Sequence, residues 1–227
     1  MTLVAAAVCP HPPLLVPELA SGAGPELDDL RRDCRSAVAE LAAARPELLV
    51  VVGVDGAPHA MSFGPWGVAV PVDVPEPLPL SLLVGAWLTR GHVRSFAAVA
   101  PDLDSEDCAA LGRELADTAG RVSLLVMGDG SARHSEKAPG YVDPRAAPYD
   151  EKIARAFAAA DTATLLGLDP AEADDLLVAG RSPWQVLAGA ATGAGLGAGR
   201  TSFTAPYGVG YHLVTWRQAL SARQEGA

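Results

Sequence analysis

Aromatic residues make up only 5% of this 227-residue chain. With so few large rings, its interior has to be built from close-packed aliphatic and alanine side chains. Cysteine is also scarce: Cys9, Cys34 and Cys108 are an odd number with no CxxC spacing. That excludes a disulfide framework and a cysteine zinc site, and fits a reducing compartment. Basic residues are outnumbered, 17 Lys+Arg against 27 Asp+Glu for a net charge of −10, so there is no basic stripe to replace the counterions of a nucleic acid. Long apolar runs are missing too. Leu48–Val54 spans seven residues, against the roughly 20 needed to cross a bilayer, and residues 185–199 are uncharged but Ala/Gly-rich. The opening MTLVAAAVCP has no Lys or Arg before its apolar stretch, so it does not read as a secretory signal. These absences describe a cytoplasmic protein with neither nucleic-acid nor membrane partners.

What is present is regular alternation. Thr2–Val8 reads as a buried strand stopped by Pro10, Pro12 and Pro13. From Pro25 a helix is expected, with Glu26, Asp28 and Asp29 suiting its positive end and Leu27, Leu30, Cys34, Val38 and Leu41 recurring every three or four residues. Pro46 closes it. Leu48–Val54 reads as a strand buried on both faces, as in a parallel sheet. A short strand near Val68–Val70 follows, then a helix over Leu80–Thr89, a strand over Val93–Ala100, a helix over Ser105–Thr118 and a strand over Val122–Met127. Beyond the loop Gly128–Ala147, helices are expected at Pro148–Ala160, Pro170–Val178 and Pro183–Ala191, each with a proline in its first turn. Ser202–Trp216 reads as extended. GAGLGAG (193–199) has no strand before it and reads as a turn or tight packing rather than a nucleotide loop. The whole is an α/β fold: a mostly parallel central sheet with helices on both faces, one domain over 1–216 and a polar tail over 217–227.

In such sheets ligands bind beyond the C-terminal ends of the strands. Three of the five histidines follow predicted strands: His11 after the first, His59 after Leu48–Val54, and His134, with Asp129, after Val122–Met127. Two histidines and a carboxylate form a common face for Fe(II), and a third imidazole near neutrality suits acid–base work. Arg133, Lys137 and Arg145 in the long loop are candidate contacts for an anionic substrate, or surface charges. Cys9 beside His11 reads as a small buried residue.

The segments VCPHPPLLVPE, GAPHA, MGDGSARH and TAPYGVGYHLV, in that order along most of the chain, resemble the class III extradiol ring-cleavage dioxygenases of the catalytic (B) subunit type. That superfamily also holds the Memo-like proteins. The resemblance implies an α/β fold and, in active members, a non-haem Fe(II) site that opens a catechol-type ring with O₂. It implies His11 and His59 as metal ligands, and the Gly128–His134 segment as the source of a catalytic histidine, with His134 and Asp129 as the acid–base candidates. It also leaves room for a partner subunit or an oligomer.

The sequence departs from the family pattern in two places. Where the family reads G-D-x-S-H, Gly128–Asp129–Gly130–Ser131 is followed by Ala132, and His134 comes two residues later. No Asp or Glu lies between Arg200 and Trp216, where the family's third ligand is expected. Three alternatives stay open: an iron site completed by Asp55 or Asp129, a zinc site of His11, His59 and His212, or no metal at all. The matching expectations are a dioxygenase on a small aromatic molecule, a Zn hydrolase, and a degenerate Memo-like binding or interaction protein.

Overall fold

The computed structural model describes residues 3–218. Its single sheet has six strands: β1 Leu3–Cys9, β2 Leu48–Val54, β3 Arg94–Val99, β4 Val122–Met127, β5 Leu196–Thr204 and β6 Tyr211–Gln218. They lie in the order β3-β2-β4-β1-β6-β5. The first four are mutually parallel, whereas β6 runs antiparallel to β1, and β5 antiparallel to β6. Eight helices accompany them among the described residues: α1 Pro17–Ala20, α2 Asp28–Ala43, α3 Leu80–Leu88, α4 Ser105–Ala116, α5 Ala146–Ala159, α6 Thr162–Leu166, α7 Pro170–Asp175 and α8 Arg181–Ala191.

The alternation of side chains along each strand makes two cores. Ala5, Ala7, Leu49, Val51, Leu125 and Leu213 face the layer of α2 and α3, while Ala6, Val8, Val50, Val52, Leu124 and Val214 face α4, α5 and α8. Both faces are therefore apolar and covered, as the continuous apolar strands require. Small residues let the helices of the second layer approach closely. A Cβ on Gly112 of α4 would collide with the Val186 carbonyl of α8, and one on Gly189 with the backbone of Ala109.

The strands and main helices fall where the sequence places them, with local differences. Val68–Val70 forms no strand. That stretch has only isolated bridges, Ala60 to Leu78 and Ser62 to Pro71, because Pro71, Pro75, Pro77 and Pro79 have no N–H to give a ladder. Pro25 sits inside a 3-10 segment, Ser21–Leu27, and α2 starts three residues later. Residues 193–199 make a turn with Gly193 and Gly195 at positive φ, then the start of β5. Strand β6 runs through Gln218, two residues past the expected domain end at 216; positions 219–227 of the expected tail lie outside the described residues. Among the described residues no helix is long and apolar enough to cross a membrane.

Candidate functional site

The topology makes β2, β4 and β1 parallel neighbours, so Asp55, Asp129 and His11 all leave the sheet at one edge. Register holds β1 and β4 together to their ends: Cys9 pairs with Met127, and the Gly128 N–H donates to the Cys9 carbonyl at 3.0 Å. The next residues face each other. The His11 backbone N–H donates to Asp129 Oδ1 at 2.8 Å. His11 Nδ1 stands 3.7 Å from the same oxygen, too far for a hydrogen bond, and is sealed from solvent with no partner. Burial pushes the Asp129 carboxyl above its ordinary pKa; the charge and N–H of His11 and the charge of His212 oppose this, and the nearby Asp150 adds to it.

The second group is centred on Asp150, in the second turn of α5 and fully buried. His134 Nε2 lies 2.6 Å from Asp150 Oδ2 and His212 Nε2 lies 3.0 Å from Oδ1. The Ser131 N–H also donates to Oδ2, at 3.0 Å. Burial alone would raise the Asp150 pKa, but the hydrogen bonds from His134 and His212, the charge of His212 and the Ser131 N–H outweigh it and hold the carboxyl below its ordinary range. An ionised carboxylate only accepts. Each Nε2 atom therefore carries the proton of its bond to Asp150.

Two sequence motifs build this pocket for Asp150. Gly130 and Gly210 exchange backbone contacts, Gly130 N–H to the Gly210 carbonyl at 2.7 Å and Gly210 N–H to the Ser131 carbonyl at 2.8 Å. A Cβ on either glycine would collide with the Asp150 carboxylate. The GDGS and PYGVGY segments thus close around one acid from opposite sides. His134 is anchored by its own N–H to the Gly208 carbonyl at 3.0 Å. Its side chain keeps 11% of its surface exposed, whereas Asp150 and His212 behind it are buried. Phe203 packs between the two imidazoles, with ring centroids 5.7 Å from His134 and 4.8 Å from His212.

His59 stands apart from both groups. It lies in an exposed loop, and its Nε2 is 2.7 Å from Asp55 Oδ1. The same Asp55 oxygen also accepts from the Gly56 N–H. Arg145 is committed to Asp143 and Asp175, and Arg133 to the Gly140 carbonyl. Cys9 turns away from the site into the α2 layer, where it meets Cys34. The sequence reading had not singled out Asp150, and had weighed His212 only as a metal ligand. Asp150 sits beside Glu151 and Lys152 in a helix of mixed composition, so nothing in the local pattern sets it apart.

No family model matches the chain, and no curated protein matches it.

The iron implied by the sequence resemblance would use His11 and His59. His11 meets one half of that requirement, since a sealed imidazole nitrogen without a partner beside a carboxylate is what a ligand pair looks like. The other half is not met. His59 is bound to Asp55 in an exposed loop, the C-terminal segment offers the backbone and His212 but no acid, and His212 is held by Asp150. Among the described residues no three His, Cys, Asp or Glu side chains are grouped to hold a metal ion. The residues as arranged do not fit the three-ligand iron site, nor the three-histidine zinc site.

Proposed function

We propose that this chain is an extradiol-dioxygenase-like protein that binds a small hydroxylated molecule at the C-terminal edge of the sheet and moves a proton on it through His134, without a complete iron centre. The observation that carries this reading is the buried Asp150 carboxylate, which holds a proton on Nε2 of the partly exposed His134 and leaves Nδ1 as the ring atom for a ligand. A base needs its lone pair available and its conjugate acid stabilised. When His134 Nδ1 takes a proton from a ligand hydroxyl, the new positive charge lies against Asp150 through the 2.6 Å bond. His212 and the Ser131 N–H keep that carboxylate in place.

Asp129 supplies the opposite character. Two buried acids whose pKa values are pushed apart, Asp150 down and Asp129 up, are the usual sign of divided acid and base roles. Asp129 is then the group that donates, or hydrogen-bonds in its neutral form, and the His11 N–H orients it.

One observation favours a second reading, iron-dependent ring cleavage: the sealed, unpartnered His11 Nδ1 beside Asp129. Metal content of anaerobically purified protein separates the two, with wild type beside His11→Ala and His59→Ala and with catechol-dependent O₂ uptake measured in parallel. On the first reading, iron is substoichiometric and unaffected by His59→Ala, and O₂ is not consumed. Solvent-deuterium exchange at carbon, into the ring positions of phenols and the alpha position of hydroxy-ketones that loss of the hydroxyl proton activates, is then catalysed by wild type and lost in His134→Gln. Stoichiometric iron that both histidine substitutions remove, with O₂ uptake, would overturn the first reading in favour of the second. Exchange that survives His134→Gln would overturn the assigned base.

A further inference from the structure

A cavity of about 330 Å³ lies between the C-terminal end of α2 and strands β1 and β6. It sits toward the opposite edge of the sheet from His11 and Asp129. Ala5 lines it, about 13 Å of strand separate Ala5 from Cys9, and His11 lies beyond. None of His11, Asp129, His134 and Asp150 lines it. Three arginines do, Arg45, Arg121 and Arg217, in a chain whose net charge is −10. Register orients Arg217. It stands directly opposite Ala5, opposed residues of an antiparallel pair share a face, and Ala5 belongs to the core on the α2 side. Arg121 is fixed by bonds from Nε to the Arg45 carbonyl at 3.0 Å and from Nη2 to the Ala44 carbonyl. These bonds offset the negative end of the α2 dipole and leave Nη1 without a partner among the described residues. The acids nearby are engaged elsewhere. Glu40, the one acid among the described lining residues, faces Arg200 of β5 at 3.9 Å, and Glu47 accepts from the Gly120 N–H. Among the described residues no carboxylate pairs with Arg45, Arg121 or Arg217.

From this arrangement we infer a second binding site, for a small organic acid whose carboxylate meets the three guanidinium groups and whose apolar body lies on the α2-side core. Arginine stays charged at any working pH, so the site does not turn on a protonation state, and its paired N–H groups match the two oxygens of a carboxylate. Ala5 and Leu41 supply an aliphatic floor, with Ala44 packed against it. A cation is repelled by the guanidinium groups, a neutral molecule leaves them unpaired, and a bare inorganic anion leaves the floor uncovered. Size fits a ring bearing a carboxylate: a cavity of about 150 Å³ holds benzene, and this one is larger. The site stands whether or not His134 moves a proton at the other edge.

Benzoate is the probe, with benzamide as the partner that keeps the ring and the planar head but loses the charge, and inorganic phosphate as the anion without a body. Binding is followed by ¹⁵N–¹H NMR titration of the full chain. Benzoate should bind saturably and move the amide resonances of Arg45 and Arg217 while leaving those of His11 and Asp129 in place. Benzamide should bind about tenfold or more weakly, since charge-assisted hydrogen bonds are roughly twice as strong as neutral ones, and the benzoate affinity should fall as ionic strength rises. Arg217→Gln and Arg45→Gln, at exposed positions, should each weaken benzoate about tenfold with the thermal midpoint unchanged. Equal affinity for benzoate and benzamide would overturn the inference. So would benzoate binding that both substitutions leave intact, phosphate binding as tightly as benzoate at the same resonances, or no saturable binding to wild type.

Discussion

Replacing Asp150 by Asn removes one charge and almost no volume, so Gly130 and Gly210 have no steric reason to move and the effect isolates the carboxylate. The acid is fully buried and accepts from His134, His212 and the Ser131 N–H. An amide offers one acceptor oxygen and one NH₂ group. Whichever way it turns, one imidazole N–H then faces a donor, and the remaining bonds lose their charge assistance. Breaking a buried charged pair by removing one partner costs about 3–5 kcal/mol. Asn still accepts on one side, so we expect about 3 kcal/mol, at the lower end of that range. The pH dependence gives a second, independent reading. The folded-state pKa of Asp150 is held below the unfolded value of about 3.9, so the carboxylate's contribution is fully present above about pH 4 and fades as pH falls through the folded value. Urea unfolding of wild type and variant, at pH 7 and stepwise into acid, should show a gap that narrows with acidification at an unchanged m-value. A loss below about 1 kcal/mol at pH 7, within reach of ordinary surface substitutions, would refute the account of Asp150 as the organising charge, and so would a gap independent of pH.

Asp129→Asn should behave in the opposite sense. The Asp129 pKa is raised by burial, so wild type loses stability as pH rises from about 4 through that raised value. The variant keeps an acceptor for the His11 N–H and should be as stable or more stable at pH 7, with that decline absent from its pH–stability curve. Gly112→Ala should destabilise by about 1–3 kcal/mol in chemical denaturation despite the better helix propensity, because its methyl would enter the Val186 carbonyl across the α4–α8 contact. Gly197→Ala, where nothing lies within 4 Å of the added atom, should stay within about 0.5 kcal/mol. His59→Ala, exposed and paired only with Asp55, should likewise change thermal stability little; a large loss would place His59 in a structural role that its exposure contradicts.

Strand and helix order was legible because it rests on local patterns. Six apolar residues and one glycine in Leu48–Val54, and five apolar residues and one serine in Val122–Met127, admit few readings other than strands buried on both faces, and those two are neighbours in the sheet. Prolines in the first turns announced α5, α7 and α8. The segment around Val68–Val70 misled because its valines suggest a strand while its prolines deny the ladder. Helix α6, five residues long and capped by Asp161, has too short a period to register. At the site, proximity to strand ends singled out His11, Asp129 and His134, and the topology does bring β1 and β4 side by side. It gave no warning that His59 would turn to Asp55. The loop after β2 is exposed, and a carboxylate four residues back was the nearest partner.

Asp150 was illegible for a different reason: nothing within its own segment marks it. Its role is visible only in the residues that had to become small to admit it. Gly130 lies 20 positions before it and Gly210 60 after, in two motifs that looked like separate signatures of one active site. The structure shows why both are glycine-rich, since each brings backbone against the same carboxylate. Glycines in such motifs are commonly read as room for a ligand. Here they are room for a side chain, whose carboxylate accepts from His134, His212 and the Ser131 N–H. That carboxylate, buried on α5, holds both imidazoles by Nε2, with His134 partly exposed and His212 buried. On the reading proposed above, the two motifs serve proton transfer through His134, and the place of the acid on α5 rather than beside the C-terminal strand is what separates that reading from metal binding.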